Sequence, residues 1–131
     1  MDFAWARLGE IGIVPDYNAT ITQRSAAADR MLALESEWEA TWISVLRAKW
    51  VEQNEGPGKI DSSVAKTMGG GLARRATQAC IEVGACGLST DHLVEKWFRD
   101  ARLFDIYEGT GEIQRLIIAR ELLGYTPREL N

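Results

Sequence analysis

A carboxylate with room around it stands at Glu108, in the run Tyr107-Glu108-Gly109-Thr110-Gly111-Glu112. A helix is expected to stop near Phe104, and Thr110 is a fair N-cap for a second one. Gly109 and Gly111 leave free space around Glu108. The loop therefore sets one carboxylate beside backbone N–H groups at a helix N-terminus, a place that binds anions and carbonyl oxygens. A carboxylate so placed can act as a general base. The same spacing also fits a plain helix–helix turn with a solvated glutamate.

The other reactive residue types offer less. Cys80 and Cys86 lie six apart in one expected helix, off a whole number of turns, so they point to different faces and read as reduced, buried thiols. His92 falls in the first turn of an expected helix with no second ligand near, so no metal site is expected. The segment MGGGLARR lacks the GK-[ST] ending and the preceding strand of a phosphate loop.

Four helices are expected to position these residues. The first runs from about 20 to 53, free of Gly and Pro, with Met31, Leu34, Trp38, Trp42, Val45 and Leu46 as one buried stripe. Trp50 and Trp97 are candidates for an oligomer face. NEGPG at 54–58 turns the chain. The second helix spans about 61–85, capped by Asp61 or Ser62. Gly69, Gly70 and Gly71 in its middle each cost about 1 kcal/mol relative to Ala, and close backbone packing is the favoured explanation. The third covers about 90–104 with a cap among Ser89, Thr90 and Asp91. The fourth covers about 111–123, stopped by Gly124 with Pro127 beyond. No strand pattern occurs, so the expected architecture is an all-α, four-helix bundle over residues 19–131, with 1–18 as a lead-in of short helix or loop.

Composition agrees with a single folded domain: 46% hydrophobic and 26% charged residues among 131. The net charge of −4 argues against nucleic-acid binding. No run reaches the roughly 18 apolar residues of a membrane span, and the N-terminus lacks the basic and apolar regions of a secretion signal. A cytoplasmic location is expected.

The run YEGTGEIQRLIIAREL resembles the acyl-CoA dehydrogenase signature, usually YEGTSEIQR followed by an aliphatic stretch and AREL. Upstream, Val94-Glu95-Lys96-Trp97-Phe98-Arg99-Asp100-Ala101-Arg102 is similar to that family's VEK-x-x-RDA segment. SVAK at 63–66 matches a helix-start motif, and Gln23 matches a glutamine that opens a bundle helix. The resemblance spans roughly residues 20–126 and is dense over 94–122. It implies the fold of the family's C-terminal helical domain. It also implies a flavin-dependent dehydrogenation of an acyl-CoA thioester between its α and β carbons, with FAD as cofactor and electron-transfer flavoprotein as acceptor. By that resemblance Glu108 matches the catalytic base and Gly109 a substrate contact. Thr110, Gly111 and Glu112 match flavin contacts. Arg99 and Asp100 match a pair expected to brace the catalytic loop, a role also open to Arg115 and Arg120.

The chain departs from the family in three places. Gly111 stands where Ser is usual. The Q-x-x-G-G segment, which meets the ADP half of the flavin across a dimer interface, reads Ile81-Glu82-Val83-Gly84-Ala85, followed by Cys86, Gly87 and Leu88. Its Gln is Ile and its second Gly is Ala, which weakens the expected cofactor contact. The family's N-terminal helical and middle β domains are missing. The initial Met leaves a short gene product, a subunit or a cut domain open. The expected partners are a second copy or separate flavin-binding domains. The isolated chain is expected to be inactive. The competing expectation is a helical oligomerisation or scaffold module without chemistry.

Overall fold

Ser25 starts the longest helix by accepting the Ala28 N–H on its hydroxyl at 3.2 Å. The computed structural model describes residues 1–57, 60–84, 89–126 and 129. Among them are five helices and no strand: α1 (Asp2–Glu10), α2 (Ala26–Glu55), α3 (Ile60–Gly84), α4 (Leu93–Asp100) and α5 (Gly111–Leu123). Short 3₁₀ turns at Ile21–Gln23 and Leu103–Asp105 precede α2 and follow α4. Ala85, Cys86, Gly87 and Leu88 lie outside the described residues, as do Gly58 and Pro127.

Helices α2 and α3 run antiparallel, as their ion pairs show. Arg30 meets Glu82, Arg75 meets Glu37, and Arg47 Nε donates to Asp61 at 2.7 Å. Helix α3 is the axis of the fold and packs on each of the other four helices. The core joins Ala4 and Leu8 of α1, Met31 and Leu34 of α2, Leu72, Ala79 and Cys80 of α3, and Val94 of α4. The lead-in thus takes the helical form of the two left open for it, and that helix buries two residues in the common core. His92 caps α4 and sets its ring against Phe3, centroids 5.3 Å apart.

The stripe expected on α2 is corrected in part. Met31 and Leu34 are buried, but Trp38 is 53% and Trp42 50% exposed, stacked on each other at 6.3 Å. Val45 and Leu46 are exposed as well. The seam against α3 continues instead through the small residues Thr41 and Ala48 and then Val51. Small side chains let two helix backbones approach, and this displaces the larger tryptophans to the flanks. Trp50 and Trp97 are also more than half exposed.

The expected start of α4 moves three residues inward. Ser89 and Asp91 bond each other, hydroxyl to carboxylate at 2.6 Å, so a local turn takes the groups that would have capped the helix. Asp61 lies inside the first turn of α3 rather than capping it, and spends its carboxylate on Arg47. The triple glycine does not break α3. A Cβ at Gly70 would stand 3.1 Å from Asp105 Oδ1 and 3.4 Å from the Phe104 carbonyl, whereas one at Gly69 would meet nothing within 4 Å. Close packing against another segment accounts for Gly70, whereas a Cβ at Gly71 would meet only the end of the Arg75 side chain, at 3.2 Å.

Candidate functional site

The connection from α4 to α5 is built to hold one unusual residue. Glu108 has φ +56°, and it is the one non-glycine residue with positive φ among the described residues. A side chain in that left-handed region crowds the following carbonyl, so the surroundings must impose it. They do so from both sides. On the α5 side, Gly109 follows at φ +93°, and Gln114 reaches back one turn to donate Nε2–H to the Glu108 carbonyl at 3.3 Å. A Cβ at Gly109 would lie 2.5 Å from that Nε2, so glycine is required there by both conformation and space. Thr110 then caps α5, its hydroxyl accepting the Ile113 N–H at 3.3 Å. Gly124 closes the helix in the left-handed conformation with the Tyr125 N–H on the Arg120 carbonyl at 3.0 Å.

On the α3 side, Lys66 Nζ donates to the Phe104 carbonyl and lies 4.9 Å over the Tyr107 ring. The Asp105 carboxylate sits between Gly70 and Gly111. A Cβ at Gly111 would stand 2.5 Å from Asp105 Oδ1 and 3.2 Å from Arg115 Nη1. The absence of a side chain at 111 thus makes room for Asp105.

The Glu108 side chain is exposed, and among the described residues no acceptor takes its backbone N–H. One free carboxylate and one free N–H therefore share a residue, which suits removal of a proton beside a carbonyl whose oxygen gathers charge. Glu112 behaves differently. Its own backbone N–H, then the Thr110 hydroxyl, then Arg115 and Arg74 hold its carboxyl below the usual carboxylate range. It neutralises the first turn of α5 and remains an anion. Around the loop, Phe104, Ile106, Tyr107, Ile113 and Leu116 form an exposed apolar apron.

The second group of expected site residues lies elsewhere. Gly84 is fourteen residues beyond Gly70 on α3, about 21 Å along the axis. Ile81 and Val83 pack against the core. Glu82 accepts from Gln78 at 2.7 Å and pairs with Arg30, and these bonds keep its carboxyl below the usual range. Ala85 is outside the described residues. Within this chain the α3 end and the Glu108 loop are not brought together.

A flavin would find partners at the loop, where the N–H, the Thr110 backbone and the apolar apron suit a flat, partly polar ring. The described α3 end does not fit it, because Ile81, Glu82 and Val83 are committed to core and ion pair. A cleft of about 970 Å³ opens between the N-terminal segment and α2–α3, lined by Tyr17, Arg24 and Trp38 among others, but no loop residue lines it. Among the described residues no group of three or more metal-ligating side chains occurs, and no helix is long and apolar enough to cross a membrane.

The expected brace by Arg99 and Asp100 is replaced by pairs within α4. Arg99 Nε donates to Glu95 at 2.6 Å, and Lys96 pairs with Asp100. The loop is instead contacted by Lys66 and Gln114, with Asp105 seated between Gly70 and Gly111. Sequence reasoning did not single out these roles, although SVAK and the triple glycine marked the place.

The family model for the C-terminal domain of acyl-CoA dehydrogenases matches residues 14–123. The mitochondrial short-chain specific acyl-CoA dehydrogenase of Rattus norvegicus is 41% identical over 97 residues, 73% of this chain and 23% of the rat protein. The Homo sapiens protein of the same name is 40% identical over the same shares. The probable acyl-CoA dehydrogenase YngJ of Bacillus subtilis (strain 168) is 41% identical over 80 residues, 60% of this chain and 21% of that protein. The chain spans less than a quarter of the length of the curated relatives it matches.

Proposed function

This chain belongs to the acyl-CoA dehydrogenase family, and from that premise we propose that it is the helical, base-bearing part of an FAD-dependent enzyme that dehydrogenates an acyl-CoA thioester. Glu108 is the base that removes the α-proton. The observation that carries this reading is its conformation: an exposed carboxylate held in a strained left-handed turn, with its own N–H free. A scaffold module gains nothing from that strain, which weighs against the non-catalytic alternative.

The free Glu108 N–H donates to the thioester oxygen as negative charge builds there. Gly109 keeps the approach clear of a side chain. Thr110 and Gly111 present backbone to the cofactor, and Glu112 keeps the helix end neutral. Flavin, when bound, supplies the hydride acceptor. The Ile81–Ala85 stretch is a poor ADP contact, so other domains or a second subunit carry most of the cofactor. Electron-transfer flavoprotein is the expected acceptor of the whole enzyme. Within the chain, the division into a lead-in of 1–18 and a bundle of 19–131 is retained, with α1 docked on the bundle. The compartment in this reading is the cytoplasm, where Cys80 stays a free thiol; the names of the mammalian relatives say mitochondrial of those proteins.

Two measurements test the reading. The isolated chain should show no dye reduction with acyl-CoA and FAD; turnover by it alone would refute the statement that it is a part. The matching segment of the rat relative can then be replaced by residues 14–123 of this chain. In that chimera Glu108→Gln should lower kcat by about 10²- to 10⁴-fold with flavin absorbance unchanged. Turnover near that of the parent chimera would remove Glu108 from the base role.

A further inference from the structure

Helix α3 carries none of the loop residues, yet it touches the segment that leads into Glu108. The chain leaves α4, makes the 3₁₀ turn Leu103–Asp105, and reaches Glu108 three residues later. At that entry Lys66 makes two contacts. Its ammonium donates to the Phe104 carbonyl and lies over the face of Tyr107, the residue immediately before Glu108. The Phe104 and Tyr107 rings lean on each other, centroids 5.7 Å apart. One cation therefore grips both ends of the segment Phe104–Tyr107. One turn further along α3, Gly70 lets the same segment come close. Asp105 then fits between two helix backbones, because neither Gly70 nor Gly111 has a Cβ.

We propose that Lys66 is a positioning residue for the loop: by holding the Phe104 carbonyl and the Tyr107 ring against α3, with Asp105 seated between Gly70 and Gly111, it fixes Glu108 in its left-handed turn. Among the described residues Lys66 forms no ion pair with a carboxylate, and its charge faces the loop. The carbonyl and the ring face both accept a cation. An arginine can make the same two contacts, whereas a methionine of similar length has no N–H for the carbonyl and no charge for the ring.

The value of this device for catalysis rests on the reading of Glu108 as the base, but the experiment reads conformation and not turnover. Failure of the Lys66 role would leave the Glu108→Gln result untouched, and the reverse also holds. The full 131-residue chain, labelled with ¹⁵N and ¹³C, is examined by NMR. Positive φ at Glu108 gives a strong intraresidue HN–Hα cross-peak. Lys66→Met should lose that signature while the helical circular dichroism is kept, and Lys66→Arg should restore it.

A pair of neighbouring substitutions keeps the test decisive if Lys66→Met fails to fold. Gly70→Ala adds a methyl against Asp105 and Phe104, whereas Gly69→Ala adds the same methyl, on the same helix, into open space. The first should lose the Glu108 signature and the second should keep it. Retention of the signature in Lys66→Met overturns the proposal. So does its retention in Gly70→Ala, or its equal loss in both glycine variants.

Discussion

Replacing Glu108 by glycine should stabilise this chain or leave its stability unchanged, although glycine weakens most positions. At φ +56° an L-residue costs about 1–2 kcal/mol relative to the right-handed region. Glycine removes that cost and adds about 0.5–1 kcal/mol of unfolded-chain entropy. The difference runs from about zero to 1.5 kcal/mol in favour of the variant. With an unfolding entropy of about 2.1 cal/mol/K per residue, a 131-residue chain shifts by about 4 °C per kcal/mol. Glu108→Gly should therefore raise Tm by up to about 6 °C. Ala119→Gly, at an exposed position inside α5, is the control. It should lose about 1 kcal/mol of helix propensity and about 4 °C. Thermal unfolding followed by circular dichroism at 222 nm, checked for reversibility, gives both shifts. The sign decides: a fall in Glu108→Gly as large as that in Ala119→Gly would mean that no strain is stored at Glu108, and the case for a functional residue there would lose its main support.

Gly109→Ala should cost about 1–3 kcal/mol, since it forces a side chain to φ +93° and drives Gln114 off the Glu108 carbonyl; urea unfolding measures it, and a neutral result would contradict the turn geometry. Gly111→Ser should be destabilising alone and milder in an Asp105→Ala background, because Asp105 Oδ1 occupies the space of the new Cβ. A double-mutant cycle should show a coupling of about 0.5–3 kcal/mol, and simple additivity would be the contrary result. Burial pushes the Cys80 thiol above its usual range, so iodoacetamide near neutral pH should label it slowly in the native chain and quickly in urea, as mass mapping would reveal. The Glu112 carboxyl is held below its unfolded value, so its contribution to stability is present above that value and is lost as pH falls through the lower, folded one. Unfolding scans taken down the acid limb should show a shallower decline for Glu112→Gln than for the parent.

The helices and the loop were legible for different reasons. Helix α5 runs from Gly111 to Leu123 as expected, because Thr110 and Gly124 are strong local signals at its two ends. The C-terminal end of α2 was legible from Gly56 in the same way. Its burial was not: hydrophobic spacing put Trp38 and Trp42 inside, whereas the seam uses Thr41 and Ala48. A pattern of apolar residues records which side chains avoid water. It does not record how close a second helix comes, and that distance chose the small residues. The start of α4 was misplaced because Ser89 and Asp91 can cap a helix or bond each other, and only the tertiary setting selects between these. The strain at Glu108 left no trace in the sequence beyond Gly109, since a glutamate carries no preference for a left-handed turn. Lys66 was hidden because its partners, a carbonyl and a ring thirty-eight or more residues away, are supplied by the fold.

The two departures that lie within the chain, at the α3 end and at Gly111, differ in kind. At the α3 end, Ile81, which stands where the family pattern has Gln, packs against the core with Val83, and Glu82 ties α3 to α2. Those changes favour the folded helices of this chain. At the loop, Gly111 gives up a side chain, but the Asp105 carboxylate fills the place between α3 and α5. A left-handed glutamate and an exposed apolar apron both cost the isolated chain free energy. Gln114, Thr110, Lys66 and Asp105 surround that one turn and hold it against the cost. The stability of the bundle is thus spent at a single place, which is where a proton-abstracting carboxylate would need to stand.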